Sequence, residues 1–127
     1  MSESGTILVV DDLPENRRLL QAVLEPRGYE VVLAPSGEEA LERLASDPID
    51  LILLDVVMPG IDGFEVCRRV RADEQTRFLP IVMVTASEDL EKRAAIEAGA
   101  DDFVTKPFDG GELLARVRPR RTASPQD

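Results

Sequence analysis

The 127-residue chain contains no histidine. That absence removes imidazole acid–base catalysis, phosphotransfer through a histidine of this chain, and His-ligated zinc. Cysteine occurs once, as Cys67, so no internal disulfide can form, which fits a reducing compartment. Cys67 stands three residues from both Phe64 and Val70, in a helical pattern that marks a buried structural thiol rather than a nucleophile. No apolar run approaches the ~18–20 residues of a membrane span, and the N-terminus has no basic-plus-apolar leader. A cytoplasmic protein without membrane contact is expected. Positive charge is scarce too: 15 Lys and Arg face 25 Asp and Glu, a formal net charge of −10. Apart from a small basic group near the C-terminus, the arginines are scattered in pairs. A nucleic-acid backbone needs clustered cations, so direct nucleic-acid binding is not expected.

What is present is one domain's worth of chain, with an ordinary 43% hydrophobic content. Thr6–Val10, Leu51–Leu54 and Ile81–Val84 are short, continuous apolar runs, the pattern of strands buried on both faces. Glu30–Leu33 alternates and reads as an edge strand, and Phe103–Thr105 as a short last strand. Helices fall between them. Pro14 suits the first turn of one, in which Leu19, Leu20, Val23 and Leu24 form a single inward stripe, closed by Pro26 and Gly28. Ser36 caps a second, with Ala40, Leu41 and Leu44 inward and Asp47-Pro48 as its stop. Asp62 caps a third, carrying Phe64, Cys67 and Val70. Ser87 caps a fourth, stopped by Gly99, and Leu113, Leu114 and Val117 mark a fifth. Strand and helix alternate five times, which implies parallel βαβ units with right-handed crossovers. Residues 1–5 are read as a flexible start, 6–118 as the domain, and 119–127 as a linker or disordered tail.

Chemistry gathers where the apolar runs stop. Asp11-Asp12 follow the first run, Asp55 the third strand, Thr85 the fourth and Lys106-Pro107 the last. In an open parallel sheet these ends share one edge, and that edge is where ligands bind. Alone, Asp11-Asp12 reads as a turn or cap, Thr85 as a strand-end hydroxyl and Lys106 as a surface charge. Together they place three carboxylates, a hydroxyl and an ammonium in one crevice. Two carboxylates ~4 Å apart repel by about 4 kcal/mol at an effective dielectric of 20, so three call for a cation. With no His and no exposed Cys to ligate, a hard ion follows, Mg²⁺ first and Mn²⁺ second. A carboxylate in such a place can act as nucleophile and carry a phosphoryl group.

The segments ILVVDD (Ile7–Asp12), DLILLDVVMPGIDGFEVCRRVR (Asp50–Arg71), PIVMVTA (Pro80–Ala86) and GADDFVTKPF (Gly99–Phe108) resemble the receiver domain of two-component response regulators, in the same order and spacing. The resemblance covers Thr6 to about Val117. It implies a flavodoxin-like (βα)5 fold, a doubly wound five-stranded parallel sheet in the order 2-1-3-4-5. It implies Asp55 as phosphoacceptor, and Mg²⁺ held by Asp12, Asp55 and the backbone carbonyl of Val57, with Asp11 acting through a metal-bound water. Thr85 and Lys106 would contact the phosphoryl oxygens, and Lys106 would pair with Asp55 when no phosphate is bound. Phe103 would be the switch aromatic, and the Lys106-Pro107 bond is often cis in relatives. The donor would be a histidine kinase or phosphotransfer protein, and the face of the fourth helix, last strand and last helix would carry the signal.

Val57 and Ser87, each two residues past a key position, match sites that tune phosphate loss in relatives. Val57 offers no polar group to orient water, which implies slow decay. Pro119 stands where the final helix of relatives usually continues, and no output motif follows residue 118 in this chain. The charges Asp101, Asp102, Glu112, Arg116 and Arg118 suit either a two-fold dimer through the signalling face or an ordinary solvated surface. Other classes fit less well. A haloacid-dehalogenase-type phosphatase would carry a second Asp where Val57 stands. A flavin binder would need a glycine- and hydroxyl-rich loop where Asp11-Asp12 stand.

Overall fold

The computed structural model describes residues 5–86 and 89–117. The chain alternates strand and helix: β1 (Thr6–Val10), α1 (Pro14–Leu24), β2 (Glu30–Ala34), α2 (Gly37–Ser46), β3 (Leu51–Asp55), α3 (Gly63–Ala72), β4 (Ile81–Thr85), α4 (Asp89–Ala98), β5 (Asp102–Thr105) and α5 (Gly110–Val117). All strand pairs are parallel, and the sheet order is β2-β1-β3-β4-β5. The parallel sense is that which the alternating pattern implies, and the doubly wound strand order is that which the resemblance implies.

Side chains leave a strand alternately to its two faces, so each apolar run feeds two cores. Leu8, Val10, Ile52, Leu54, Ile81 and Met83 pack on one face with Val66, Cys67 and Val70 of α3, Ala40 of α2 and Ala95 of α4. Ile7, Val9, Leu51, Leu53, Val82, Val84 and Val104 pack on the other with Leu20 and Leu24 of α1 and Leu113 and Val117 of α5. Cys67 lies fully inside the first core, where burial pushes its thiol pKa up, so it behaves as a small apolar group.

The caps form as their residue types require. Ser36 accepts the Glu39 N–H at 3.1 Å and Asp62 accepts the Glu65 N–H at 2.9 Å. Pro14 occupies the first turn of α1, and Pro26 lies in a 3-10 turn (Glu25–Arg27) that ends at Gly28 with φ 102°. One expectation fails. Leu20 is 2% exposed and Leu24 fully buried, but Leu19 is 51% exposed. A helix presents only part of its circumference to a flat sheet, and Leu19 lies beyond that arc. The Ser87 cap, Arg118, Pro119 and the tail lie outside the described residues.

At the N-terminal edge of β4 and β5, Arg71 joins three segments. Its Nε donates to the Gly99 carbonyl at 2.9 Å, one Nη to the Leu79 carbonyl at 2.7 Å, and the other to Asp101 at 2.9 Å. Asp101 also accepts the Ile81 N–H at 2.8 Å. Gly99 has φ 112°, and a Cβ there would meet Arg71 Cγ at 2.9 Å. This clamp fixes the C-terminal end of α4 against β4 and β5.

Adjacent leucines on α1 should therefore differ sharply. Leu20→Ala is expected to cost about 2–5 kcal/mol in urea unfolding, and Leu19→Ala within about 0.5 kcal/mol of zero.

Candidate functional site

Strand register sets the site before any side chain is considered. Val10 pairs with Leu54, so Asp11 and Asp55 are the next positions on neighbouring strands. Asp55 pairs with Val84, placing Thr85 one residue further on, and Thr85 pairs with Thr105, placing Lys106 one further again. The four strand ends thus form a staircase along the C-terminal edge of the sheet.

Asp11, Asp12 and Asp55 each offer a carboxylate oxygen, and the three oxygens lie within 4.8 Å of one another. Asp11 and Asp55 are buried, and Asp12 is half-buried. Lys106 Nζ reaches Asp55 Oδ1 at 3.2 Å, so the two side chains form an ion pair. Burial raises the pKa of Asp55, and the charge of Asp11 raises it further, with a smaller contribution from Asp12. Lys106 opposes this through its charge and its hydrogen bond without reversing it.

Asp11 is held from α1. Its carboxylate accepts the Leu13 N–H at 2.9 Å and the Asn16 amide at 3.2 Å, and its carbonyl accepts Arg17 at 2.7 Å. The sequence reading did not include Asn16 or Arg17. Their signal was position alone: the first turn of a helix that starts three residues after the aspartate.

Thr85 is buried, and its Oγ1 has no hydrogen-bond partner among the described residues. A buried hydroxyl left unpaired costs about 1–3 kcal/mol, so its retention points to a ligand oxygen as its missing partner. Phe103 is half-buried, with Lys92 Nζ 5.5 Å from its ring centroid. Val57 is 68% exposed at the start of the loop after Asp55, so core packing does not account for it. The Lys106-Pro107 bond is cis. Ser87 lies outside the described residues.

The sequence reading also overlooked the way this loop is held. A Cβ on Gly63 would collide with the carbonyl oxygen of Asp55 and come within 2.9 Å of the Val56 Cα. Only glycine lets α3 start so close beneath the aspartate, and its N–H then bonds the Val56 carbonyl at 2.8 Å. Glu38 accepts the Ile61 N–H at 3.3 Å from across the loop. An apolar groove of about 380 Å³ adjoins the crevice, lined by Asn16, Leu19, Lys106, Pro107 and Phe108.

The donor set of three carboxylates, without imidazole or thiolate, fits a hard divalent cation such as Mg²⁺. Fold and site together define a class: a doubly wound α/β domain with an acidic crevice bridged by lysine.

Comparison with known proteins names the class. The family model of the response regulator receiver domain matches residues 7–118. The chain is 51% identical over 116 residues to response regulator PleD of Caulobacter vibrioides, covering 91% of this chain and 26% of PleD. It is 48% identical over 113 residues to the alkaline phosphatase synthesis transcriptional regulatory protein PhoP of Bacillus subtilis, covering 88% of this chain and 46% of PhoP. The chain therefore spans between about a quarter and a half of these two curated relatives. Among solved structures, the chemotaxis protein CheY4 of Vibrio cholerae superimposes with a TM-score of 0.83 at 35% identity, covering 88% of this chain and 94% of that one. The receiver domain of sensor histidine kinase PA1611 from Pseudomonas aeruginosa, solved with a magnesium ion in its active-site cleft, gives 0.81 at 34%, covering 88% and 93%. The chain belongs to the response regulator receiver domain family. Receiver domains are signalling domains of two-component systems, and their general function is phosphoryl transfer from a histidine kinase.

The raised pKa of Asp55 gives a pH-dependent stability. Below the unfolded carboxyl pKa of about 3.9 the group is neutral in both states and carries no penalty. As pH rises through its higher folded value, the folded state ionises less readily than the unfolded chain and loses stability. In EDTA, Asp55→Asn should therefore melt above wild type at pH 7, and the gap should shrink as pH falls toward 4. Thermal melts across that range test it.

Proposed function

We propose that Asp55 is the phosphoacceptor of a two-component phosphorelay, and that its phosphorylation alters the face formed by α4, β5 and α5 to control a partner or output domain. The observation that carries this reading is the burial of Asp55 between two further aspartates and Lys106, 3.2 Å from its carboxylate. An Asp55 oxygen forms a bond to phosphorus while the donor's P–N bond, in a phosphohistidine, or P–O bond, in a small acyl phosphate, breaks. The bonding pair leaves with the donor, and an acyl phosphate remains on Asp55. The chain so catalyses only its own phosphorylation and dephosphorylation. Lys106 exchanges its carboxylate partner for a phosphoryl oxygen, and Thr85 Oγ1 gains the acceptor it lacks. Asp12, Asp55 and the backbone carbonyl of Val57 would hold Mg²⁺, or Mn²⁺ in its place, with Asp11 acting through a water. When bound, the cation neutralises charge on the phosphoryl oxygens.

Residues 6–118 form the receiver unit on this reading, and 119–127 a linker toward any output domain. A histidine kinase or phosphotransfer protein is the donor, in a cytoplasmic setting consistent with the lone buried Cys67. No helix among the described residues is long and apolar enough to cross a membrane. A two-fold dimer through α4, β5 and α5 would draw on Asp102, Glu112 and Arg116, which already pair within the chain at 3.3 and 3.9 Å. Asp101 is taken up by Arg71.

Incubation with acetyl phosphate and Mg²⁺ should add one phosphoryl group by intact mass. Asp55→Asn and EDTA controls should remain unlabelled. Labelling of Asp55→Asn to the wild-type extent would overturn the assignment.

Val57 stands exposed beside the acceptor with no polar group to align water, so the acyl phosphate should persist. Val57→Asn should shorten its half-life severalfold in a single-turnover decay assay. An unchanged half-life would remove Val57 from the tuning role.

A further inference from the structure

The two ends of α4 are held in different ways. Its C-terminal end is tied by Arg71 to the Gly99 carbonyl and by the Ala100 N–H to the Ala95 carbonyl at 3.0 Å. Its first turn is held by side chains. Glu91 Oε1 accepts the Ala86 N–H at 2.9 Å, and the neighbouring Lys92 lies over the Phe103 ring. Further along, Ala95 is buried with its methyl group, Ala98 packs against the core, and Ile96 is half exposed.

Ala86 directly follows Thr85 at the end of β4, on the edge that carries Asp55 and Lys106. A phosphoryl group on Asp55 would bring three acceptor oxygens and nearly two negative charges to that edge. The donors carried at that edge include the Lys106 ammonium, the Thr85 hydroxyl, which has no partner among the described residues, and the Ala86 N–H. This N–H has a single hydrogen, already given to the Glu91 carboxylate. Two anions cannot share it, and their repulsion favours separation.

We propose that Glu91 is a positioning residue that latches the unphosphorylated state. Its carboxylate occupies the Ala86 N–H, and a phosphoryl group on Asp55 displaces it. Displacement frees the first turn of α4, and with it Lys92 and the ring of Phe103, while Arg71 keeps the far end in place. The proposal rests on Asp55 as phosphoacceptor. Linkage makes the effect reciprocal: whatever the latch contributes to the resting state is subtracted from affinity for the phosphoryl group.

The test uses beryllofluoride, a non-covalent phosphoryl mimic, with Mg²⁺ and the full chain. Glu91→Ala should bind it about three- to tenfold more tightly than wild type, the effect of removing one charge-assisted hydrogen bond at a partly exposed site. Glu91→Gln, which keeps a weaker acceptor, should fall between. Amide exchange gives a second readout. Ala86 should be protected with and without beryllofluoride in wild type, and only with it in Glu91→Ala. In wild type alone, the Glu91 side-chain carboxyl ¹³C resonance should shift on binding. A purely structural Glu91 would give equal or weaker binding in Glu91→Ala and an unmoved carboxyl resonance, and that result overturns the latch alone. If wild type and Asp55→Asn bind beryllofluoride equally poorly, the phosphoacceptor reading falls and the latch falls with it.

Discussion

Three carboxylates held within 4.8 Å of one another at the rim of an apolar sheet are a liability that every nearby element acts to contain. Left to solvent, such groups would separate; here strand register fixes Asp11 beside Asp55, and both are buried. One lysine answers three negative charges, and Asp55 keeps a raised pKa in spite of it. The unbalanced charge is what would draw a divalent cation to the crevice. Stability is forgone at the site and recovered in the two cores beneath it, a pattern expected where function and folding conflict.

The supporting contacts divide by role. Asn16 and Leu13 fix the Asp11 carboxylate, Gly63 lets α3 begin directly under Asp55, and Glu38 holds the loop between them. These contacts keep the carboxylates in place. Around Thr85 the contacts among the described residues are of another kind: a hydroxyl without a partner, a carboxylate on the Ala86 N–H, and an ammonium over an aromatic ring. On the proposed reading, a fixed floor beneath a first turn of α4 held through Glu91 is an arrangement in which a small change of charge shifts a population.

Legibility in the sequence followed how local each feature is. Short β-branched runs and helix stripes revealed the strands, helices and their parallel sense, because periodicity is a property of neighbouring residues. Caps such as Ser36 and Asp62 were legible for the same reason. Leu19 was misread because the stripe rule gives a face but not its width, which depends on how α1 lies across the sheet. Asn16 and Gly63 were overlooked because their importance arises from contact with segments that meet them only after folding.

The sequence by itself determined which residues end each strand and hence which chemical groups reach the C-terminal edge: three aspartates, a threonine and a lysine, with no histidine or exposed thiol to alter the chemistry. Periodicity and charge suffice for that, since they are carried by the chain alone. Tertiary structure decided what those groups feel. Only the β1-β3-β4-β5 register brings Asp11 alongside Asp55 and sets Lys106 at 3.2 Å from it. Only packing buries the Thr85 hydroxyl without a partner among the described residues, and places Glu91 on the Ala86 N–H. Desolvation and charge coupling depend on distance in space, and distance in space is what folding supplies.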